Sequence, residues 1–250
     1  MIKCSHGKKP KSILATDLDG TLVGSRTAVY DFNRYMIKHN NCFLLVYITG
    51  RAFASAWQLI TQENLLFPDV LITDMGTEIY IAPHFGLDPA WEKKMCSAWD
   101  AAGARSLVSS LEGPQVREMR SRFRLSLNID KTFYQNILLR LNKAVEQSGL
   151  PVKIVPVAAG AVDLVPASAG KGLALCYVQE RCQISKEQTF VCGDSGKDLS
   201  MFIKGFKGIV VGNARPELKN ALKFKTREVY FSKSYYASGI LEGLRKYGAV

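Results

Sequence analysis

The stretch Ile13-Leu14-Ala15-Thr16-Asp17-Leu18-Asp19-Gly20-Thr21-Leu22-Val23 joins an apolar run to two closely spaced carboxylates. That order puts Asp17 and Asp19 at the carboxyl end of a buried strand, where an open α/β sheet gathers its chemistry. Alternation along an extended chain sends both side chains the same way, and Gly20 lets the backbone turn tightly beside them. Carboxylates this close repel, so keeping both ionised takes a divalent cation, and a shared proton is the other solution. Asp-Gly is also common turn chemistry. The segment takes its meaning from the residues that arrive beside it.

Beyond Val23, strand-like and helical runs alternate. Val29, Phe32, Met36 and Ile37 recur at helical spacing, Phe43 to Thr49 is apolar and strand-like, Phe53, Trp57 and Ile60 mark a second helix, and Val70 to Thr73 a third strand. Such β-α-β order implies a parallel sheet with helices on both faces. Gly76 to Ile81 reads as a hairpin leaving that sheet, and Pro83 to Pro89 as loop. A different pattern follows. Arg122-Phe123-Arg124-Leu125-Ser126-Leu127-Asn128-Ile129 alternates strictly, which predicts an antiparallel strand whose polar side is open to water or a ligand. Asp130 caps a helix striped by Phe133, Ile137, Leu141 and Val145, which stops at Gly149 and Pro151. Val152 to Val157 and Val162 to Val165 add short strands. From Lys171 the first pattern returns: a helix, the buried strand Phe190-Val191-Cys192, an acidic loop, a helix, and the strand Gly208 to Val211. The predicted architecture is a discontinuous parallel α/β core, residues 1–83 and 165–250, carrying an inserted α/β module over 84–164.

A chain of 250 residues is long enough for one large core with an insertion. No stretch is long and apolar enough to cross a bilayer, and the basic Met1 to Lys11 segment leads into no signal-peptide core. Cys4, Cys42, Cys96, Cys176, Cys182 and Cys192 are scattered without CxxC spacing, which fits reduced thiols in a cytoplasmic protein and argues against zinc. The formal net charge of +11 suits an anionic partner. Neither the Lys8, Lys9, Lys11 cluster nor the Lys219, Lys223, Lys225, Arg227 stretch is interleaved with aromatics, so solvated faces are expected, with no nucleic-acid and no membrane partner.

Three further segments bring polar groups to the first strand's carboxylates. Thr49-Gly50-Arg51 closes one strand and opens a helix, offering a hydroxyl and free N–H groups where phosphate binds; a plain N-cap is its simpler reading. Lys171 lies between Gly170 and Gly172 at a helix start, where the macrodipole disfavours a cation unless an anion is near. Gly193-Asp194-Ser195-Gly196-Lys197-Asp198 follows a buried strand and adds two carboxylates at the same sheet edge. Together they supply Asp17 as nucleophile, Asp19 as acid and base, Thr49 and Lys171 as phosphate clamps, and Asp17, Asp19, Asp194 and Asp198 as hard oxygen ligands suited to Mg²⁺.

The DxDGT start, the Thr-Gly-Arg, the Lys-Gly helix and the GDSGxD loop, in this order, resemble the four motifs of haloacid-dehalogenase-superfamily phosphatases. Within that superfamily the chain is most similar to the sucrose-phosphate and mannosylfructose-phosphate phosphatases, through Gly76-Thr77-Glu78-Ile79-Tyr80, Gly86 to Trp91, Val162-Asp163-Leu164-Val165-Pro166, Gly208 to Leu218 and Gly239-Ile240-Leu241-Glu242. The resemblance implies a Rossmann-like core, an inserted cap and Mg²⁺-dependent hydrolysis of a sugar phosphate through an aspartyl-phosphate. Sucrose 6-phosphate is the first expected substrate; mannosylfructose, mannosyl-3-phosphoglycerate and trehalose phosphates are alternatives, as are phosphoryl transfer to a second sugar and a non-catalytic binding module. Gly50, Arg51, Glu78, Arg124, Ser126, Asn128, Asp163 and Lys197 are the expected substrate contacts, with Arg122 beside them. Lys197 replaces the Asn usual in this family's last motif; it either clamps the substrate or pairs with Asp198. A monomer or weak dimer is expected, with a sugar-phosphate synthase of the same pathway as partner.

Overall fold

The apolar run before Asp17 forms strand β1 (Ser12–Thr16), buried from Ile13 onward. The computed structural model describes residues 10–39, 42–117, 121–158, 160–224 and 228–249. Cys4, Lys8, Lys9, Lys225 and Arg227, which entered the cysteine and charge arguments, lie outside the described residues. After β1 come α1 (Arg26–Lys38), β2 (Phe43–Ile48), α2 (Phe53–Gln62), β3 (Val70–Thr73), β4 (Glu78–Ile81) and β5 (Gly86–Leu87). The middle of the chain forms α3 (Pro89–Ala98), α4 (Ala101–Ser109), β6 (Gln115–Arg117), β7 (Leu125–Asn128), α5 (Tyr134–Ser148), β8 (Val152–Ala158) and β9 (Ala161–Pro166). The last third forms α6 (Lys171–Cys182), β10 (Thr189–Gly193), α7 (Leu199–Phe202), β11 (Lys207–Val210), α8 (Pro216–Leu222), β12 (Val229–Phe231) and α9 (Tyr236–Lys246).

Two compact units result, Met1–Asp88 with Gly170–Val250, and Pro89–Ala169. Both boundaries fall five residues later than the 84–164 span expected for the insert. At the first boundary the cause is local: Gly86 and Leu87 pair with Ile81 and Tyr80, and Asp88 accepts a hydrogen bond from Tyr177 and an ion pair from Arg181, both in the first unit.

In the first unit the sheet order is β12-β11-β10-β1-β2-β3-β4-β5. Strands β12 to β3 are parallel. From β1 the chain steps through β2 and β3 to one side, and on its return from β10 through β11 and β12 to the other. Between β1 and β10 lies the switch point where the carboxyl ends leave a crevice. The Gly76 to Ile81 hairpin does not leave the sheet: β4 pairs antiparallel with β3, matching Ile72 to Ile79. Its residues pair back onto β3 and then with β5, so the sheet grows by two antiparallel strands.

In the second unit the sheet order is β6-β7-β9-β8, all antiparallel. Leu125, Leu127 and Ile129 pack with Val162 and Leu164 against α4 and α5, which contribute Ala104, Leu107, Val108, Ile137 and Leu141. The other side of β7 is not open as expected. Arg122 and Asn128 are exposed, but Arg124 and Ser126 are buried. The reason is a cross-strand pairing: Ser126 lies opposite Asp163, whose carboxylate accepts from Ser126 Oγ at 2.6 Å and from Arg124 Nη1 at 3.2 Å. A carboxylate buried between a hydroxyl and a guanidinium is satisfied without water.

Candidate active site

Asp17 continues the β1 ladder by donating its N–H to the Cys192 carbonyl, so its side chain is held at the carboxyl edge beside the end of β10. Asp194 and Asp198 come from the turn after β10, and the three buried carboxylates offer oxygens within 4.8 Å of one another. Lys171, the first residue of α6, is 3% exposed. Its ammonium donates to Asp17 Oδ1 and to Asp198 Oδ1, each at 2.7 Å. These are the anions that a cation at a helix start requires.

The acidic turn is built to fix its own carboxylates. Asp198 Oδ2 accepts the N–H groups of Asp194 and Ser195 at 3.1 Å and the Ser195 hydroxyl at 3.2 Å, a reciprocal cap with Ser195. Asp194 accepts from Thr21 Oγ1 at 3.3 Å. Gly20, at φ +77, is required here twice: a Cβ would sit 2.8 Å from Asp194 Oδ2, in a backbone conformation side chains rarely adopt.

Electrostatics follow from burial. Desolvation raises the Asp17 pKa to about 7; Lys171 opposes this, and the neighbouring Asp198 and Asp194 charges add to it. Asp194 is also raised, by burial first and then by Asp198. Burial disfavours the Lys171 ammonium, but Asp17 and Asp198 outweigh it and its pKa rises. Three carboxylates face one ammonium, and the missing Cβ of Gly20 leaves room against Asp194. This donor set of hard, buried oxygens fits a divalent cation of the Mg²⁺ type held by Asp17, Asp194 and Asp198.

Asp19 does not join that cluster. Its carboxylate is half exposed and accepts both Arg51 Nε at 2.7 Å and Arg51 Nη2 at 2.6 Å. A bidentate guanidinium fork holds it firmly, so its carboxylate faces Arg51 while Asp17, Asp194 and Asp198 gather around Lys171. Arg51, just after the β2 turn, supplies the partner. Thr49 is buried and its Oγ1 accepts the Arg51 N–H at 3.1 Å; it shapes the turn and does not cap α2, whose N-cap position is Ala52. Gly50 follows Thr49 in the same turn. Glu78 is buried, accepting from Thr73 Oγ1 at 3.2 Å and Tyr80 Oη at 2.9 Å. Lys197 is exposed. The pairing with Asp198 allowed for it belongs instead to Lys171, whose stem is rooted one helix away and points inward.

Of the remaining expected contacts, Arg124, Ser126 and Asp163 form the buried triad of the second unit, Asn128 is exposed on the same strand, and Arg122 pairs with Glu92. Two supporting residues were not read from the sequence. Thr21 lies inside the DGT run and could have been found as a donor to the acidic turn. Asn213 had no local signal: its Nδ2 donates to the Gly20 carbonyl at 2.7 Å and its Oδ1 accepts the Tyr236 N–H at 2.8 Å, tying the Asp17 loop to α9.

A family model described as Sucrose-6F-phosphate phosphohydrolase matches residues 10–248. The chain belongs to this family. A sucrose-phosphatase from Synechocystis sp. PCC6803, solved in complex with sucrose and phosphate, superposes with a TM-score of 0.88 at 29% identity, over 96% of this chain and 98% of that one. The mannosylfructose-phosphate phosphatase of Agrobacterium fabrum is 28% identical over 247 residues, 96% of this chain and 98% of that protein. Probable sucrose-phosphatase 1 of Arabidopsis thaliana is 32% identical over 226 residues, 84% of this chain but 52% of that protein, so the chain spans about half its length. A haloacid dehalogenase-like hydrolase from Bacillus subtilis shares the fold, with a TM-score of 0.73 at 20% identity. The family is one of phosphoric monoester hydrolases within the haloacid dehalogenase superfamily, and the Rossmann-like core is common to it. No helix among the described residues is long and apolar enough to cross a membrane.

Proposed function

We propose that this chain hydrolyses a sugar phosphate, with sucrose 6-phosphate as the first substrate, through a phosphoryl group carried on Asp17. The observation that carries the reading is the buried arrangement of Asp17, Asp194 and Asp198 around Lys171 at the sheet's switch point, in a member of a sugar-phosphate phosphohydrolase family. Asp17 Oδ attacks phosphorus and the bond to the sugar oxygen breaks, while Asp19 gives that oxygen its proton. Asp19 then takes a proton from the water whose oxygen attacks the aspartyl-phosphate, releasing inorganic phosphate and restoring the Asp17 carboxylate. Asp19 has to leave the Arg51 fork to do either, and Arg51 is then free to meet the phosphoryl oxygens. Lys171 offsets charge on the transferring group, and Thr49 and the Gly50 N–H offer further donors. A Mg²⁺ held by Asp17, Asp194 and Asp198 would neutralise the repulsion between carboxylate and phosphate.

Mannosylfructose phosphate is a second substrate to weigh, because the phosphatase named for it matches this chain nearly end to end. Release of inorganic phosphate from sucrose 6-phosphate, mannosylfructose phosphate, trehalose 6-phosphate and hexose phosphates decides the sugar. A disaccharide phosphate is expected to be turned over with the highest kcat/KM. Transfer to a second sugar without phosphate release would replace hydrolysis by a phosphotransferase. A monomer or weak dimer in the cytoplasm, beside a synthase that makes the substrate, remains the expected setting.

A further inference from the structure

Helices α1 and α9 pack side by side, and a cavity of about 510 Å³ opens along their seam, with the loop before α9 as its third wall. Arg34 and Lys38 on α1 and Arg245 on α9 line it. Among the described residues none of these three makes an ion pair. Tyr35 lines it too, and its hydroxyl oxygen is buried with no hydrogen-bond partner. An orphaned buried hydroxyl costs stability unless something outside the chain meets it. The carboxylates in the wall do not cancel the cations equally. Glu242 is already committed, accepting the N–H groups of Lys233 and Ser234 and the Tyr230 hydroxyl; Asp31, Ser234 and Ser238 complete the polar lining.

We propose that this groove binds a small phosphorylated molecule bearing hydroxyl groups, at a site separate from the Asp17 centre. Its phosphate lies among Arg34, Lys38 and Arg245, where two guanidinium forks match phosphate oxygens, and takes the Tyr35 hydroxyl as a further donor. Asp31 and the two serines face the hydroxyl-bearing part, since a carboxylate accepts what a sugar hydroxyl donates. The volume lies in the range of small-molecule sites. An extended polyanion such as nucleic acid is disfavoured, because the cavity is bounded and has two carboxylates in its wall.

The test is hydrogen exchange on the full-chain protein with Mg²⁺, using a sugar phosphonate that cannot be hydrolysed as the probe. Slower exchange is expected in residues 28–39 and 233–246 as the phosphonate is titrated, read separately from protection of the 193–198 turn. Replacing both guanidiniums (Arg34→Gln with Arg245→Gln) should move the midpoint for the helices at least about tenfold higher, the worth of a lost charge-assisted contact, and leave the midpoint for the turn unchanged. Tyr35→Phe keeps the ring against His39 and should raise the helix midpoint about fivefold with no loss of thermal stability. Unphosphorylated glucose should protect neither helix. The proposal is overturned if the helices show no protection while the turn saturates, if the midpoint is the same in the Arg variant, or if glucose protects as well as the phosphonate.

Discussion

A buried lysine between two carboxylates sets the character of the site, because Lys171 balances one of the three charges that Asp17, Asp194 and Asp198 can carry. Asp17 is the residue left worst off: desolvation takes its pKa to about 7 despite Lys171. Asp17→Asn removes that burden and the nucleophile together. Turnover should fall to background, while thermal melting without metal occurs at the same temperature or higher, the usual opposition of stability and function at an active site. Near-normal phosphate release by a verified Asp17→Asn protein would remove the nucleophile assignment. Lys197 is exposed and takes no part in the Lys171 contacts. As a substrate clamp it should act on uniform binding, so Lys197→Asn should raise KM with kcat and Mg²⁺ dependence unchanged; tighter Mg²⁺ binding in that variant would point to competition for the carboxylates instead.

At the scale of elements, Asp163 on β9 ties in both Ser126 of β7 and Arg124 just before it, through a buried hydrogen bond and a buried ion pair. Asp163→Ala removes the buried carboxylate that accepts from both Arg124 and Ser126, so urea denaturation should show a loss of about 3–5 kcal/mol, with Asp163→Asn losing less because it keeps the Ser126 bond. A smaller device holds the loop into α9: Glu242 accepts from Lys233, Ser234 and Tyr230, and these bonds depress its pKa from 4.5 to about 2. A depressed carboxylate contributes fully above its unfolded pKa and fades as pH falls through the folded one. The melting temperature of Glu242→Gln should therefore lie below wild type above about pH 5, with the gap closing as pH drops from 4.5 toward 2; a constant gap would contradict the assignment. The central strands were legible because parallel strands buried on both faces read as continuous apolar runs, as in Ile13 to Ala15 and Phe190 to Cys192. The acidic motifs were legible because each directly follows such a run. The polar side of β7 was misread as open because its partner Asp163 lies 37 residues from Ser126, a pairing that no local alternation encodes. Arg51 was read as a substrate contact, and its fork on Asp19 was missed, since two turns on different strands meet only in the folded sheet.

The whole molecule carries a net charge of +11 while concentrating carboxylates at one buried point. The first property draws anions from a distance and the second repels them on arrival, so the balance at the site depends on what neutralises the acids. With a dianionic sugar phosphate, kcat/KM should fall as salt is raised from about 20 to 500 mM, because screening shortens the reach of the positive field from roughly 20 Å to a few Å. Metal removal tests the other half. If Asp17, Asp194 and Asp198 hold Mg²⁺ only in the folded chain, binding adds stability by mass action, about 2.7 kcal/mol at a hundredfold excess over Kd, which for a protein of this size is roughly 5–10 °C of melting temperature. EDTA should lower the melting temperature and abolish phosphate release together, and Mg²⁺ should restore both. Ca²⁺ should restore melting but not turnover, since its longer bonds and higher coordination number satisfy the carboxylates yet misplace the phosphoryl group. An enzyme that keeps full activity after exhaustive chelation, or whose melting temperature ignores Mg²⁺ while Asp194→Asn still inactivates it, would show that the three carboxylates serve Lys171 and the turn alone.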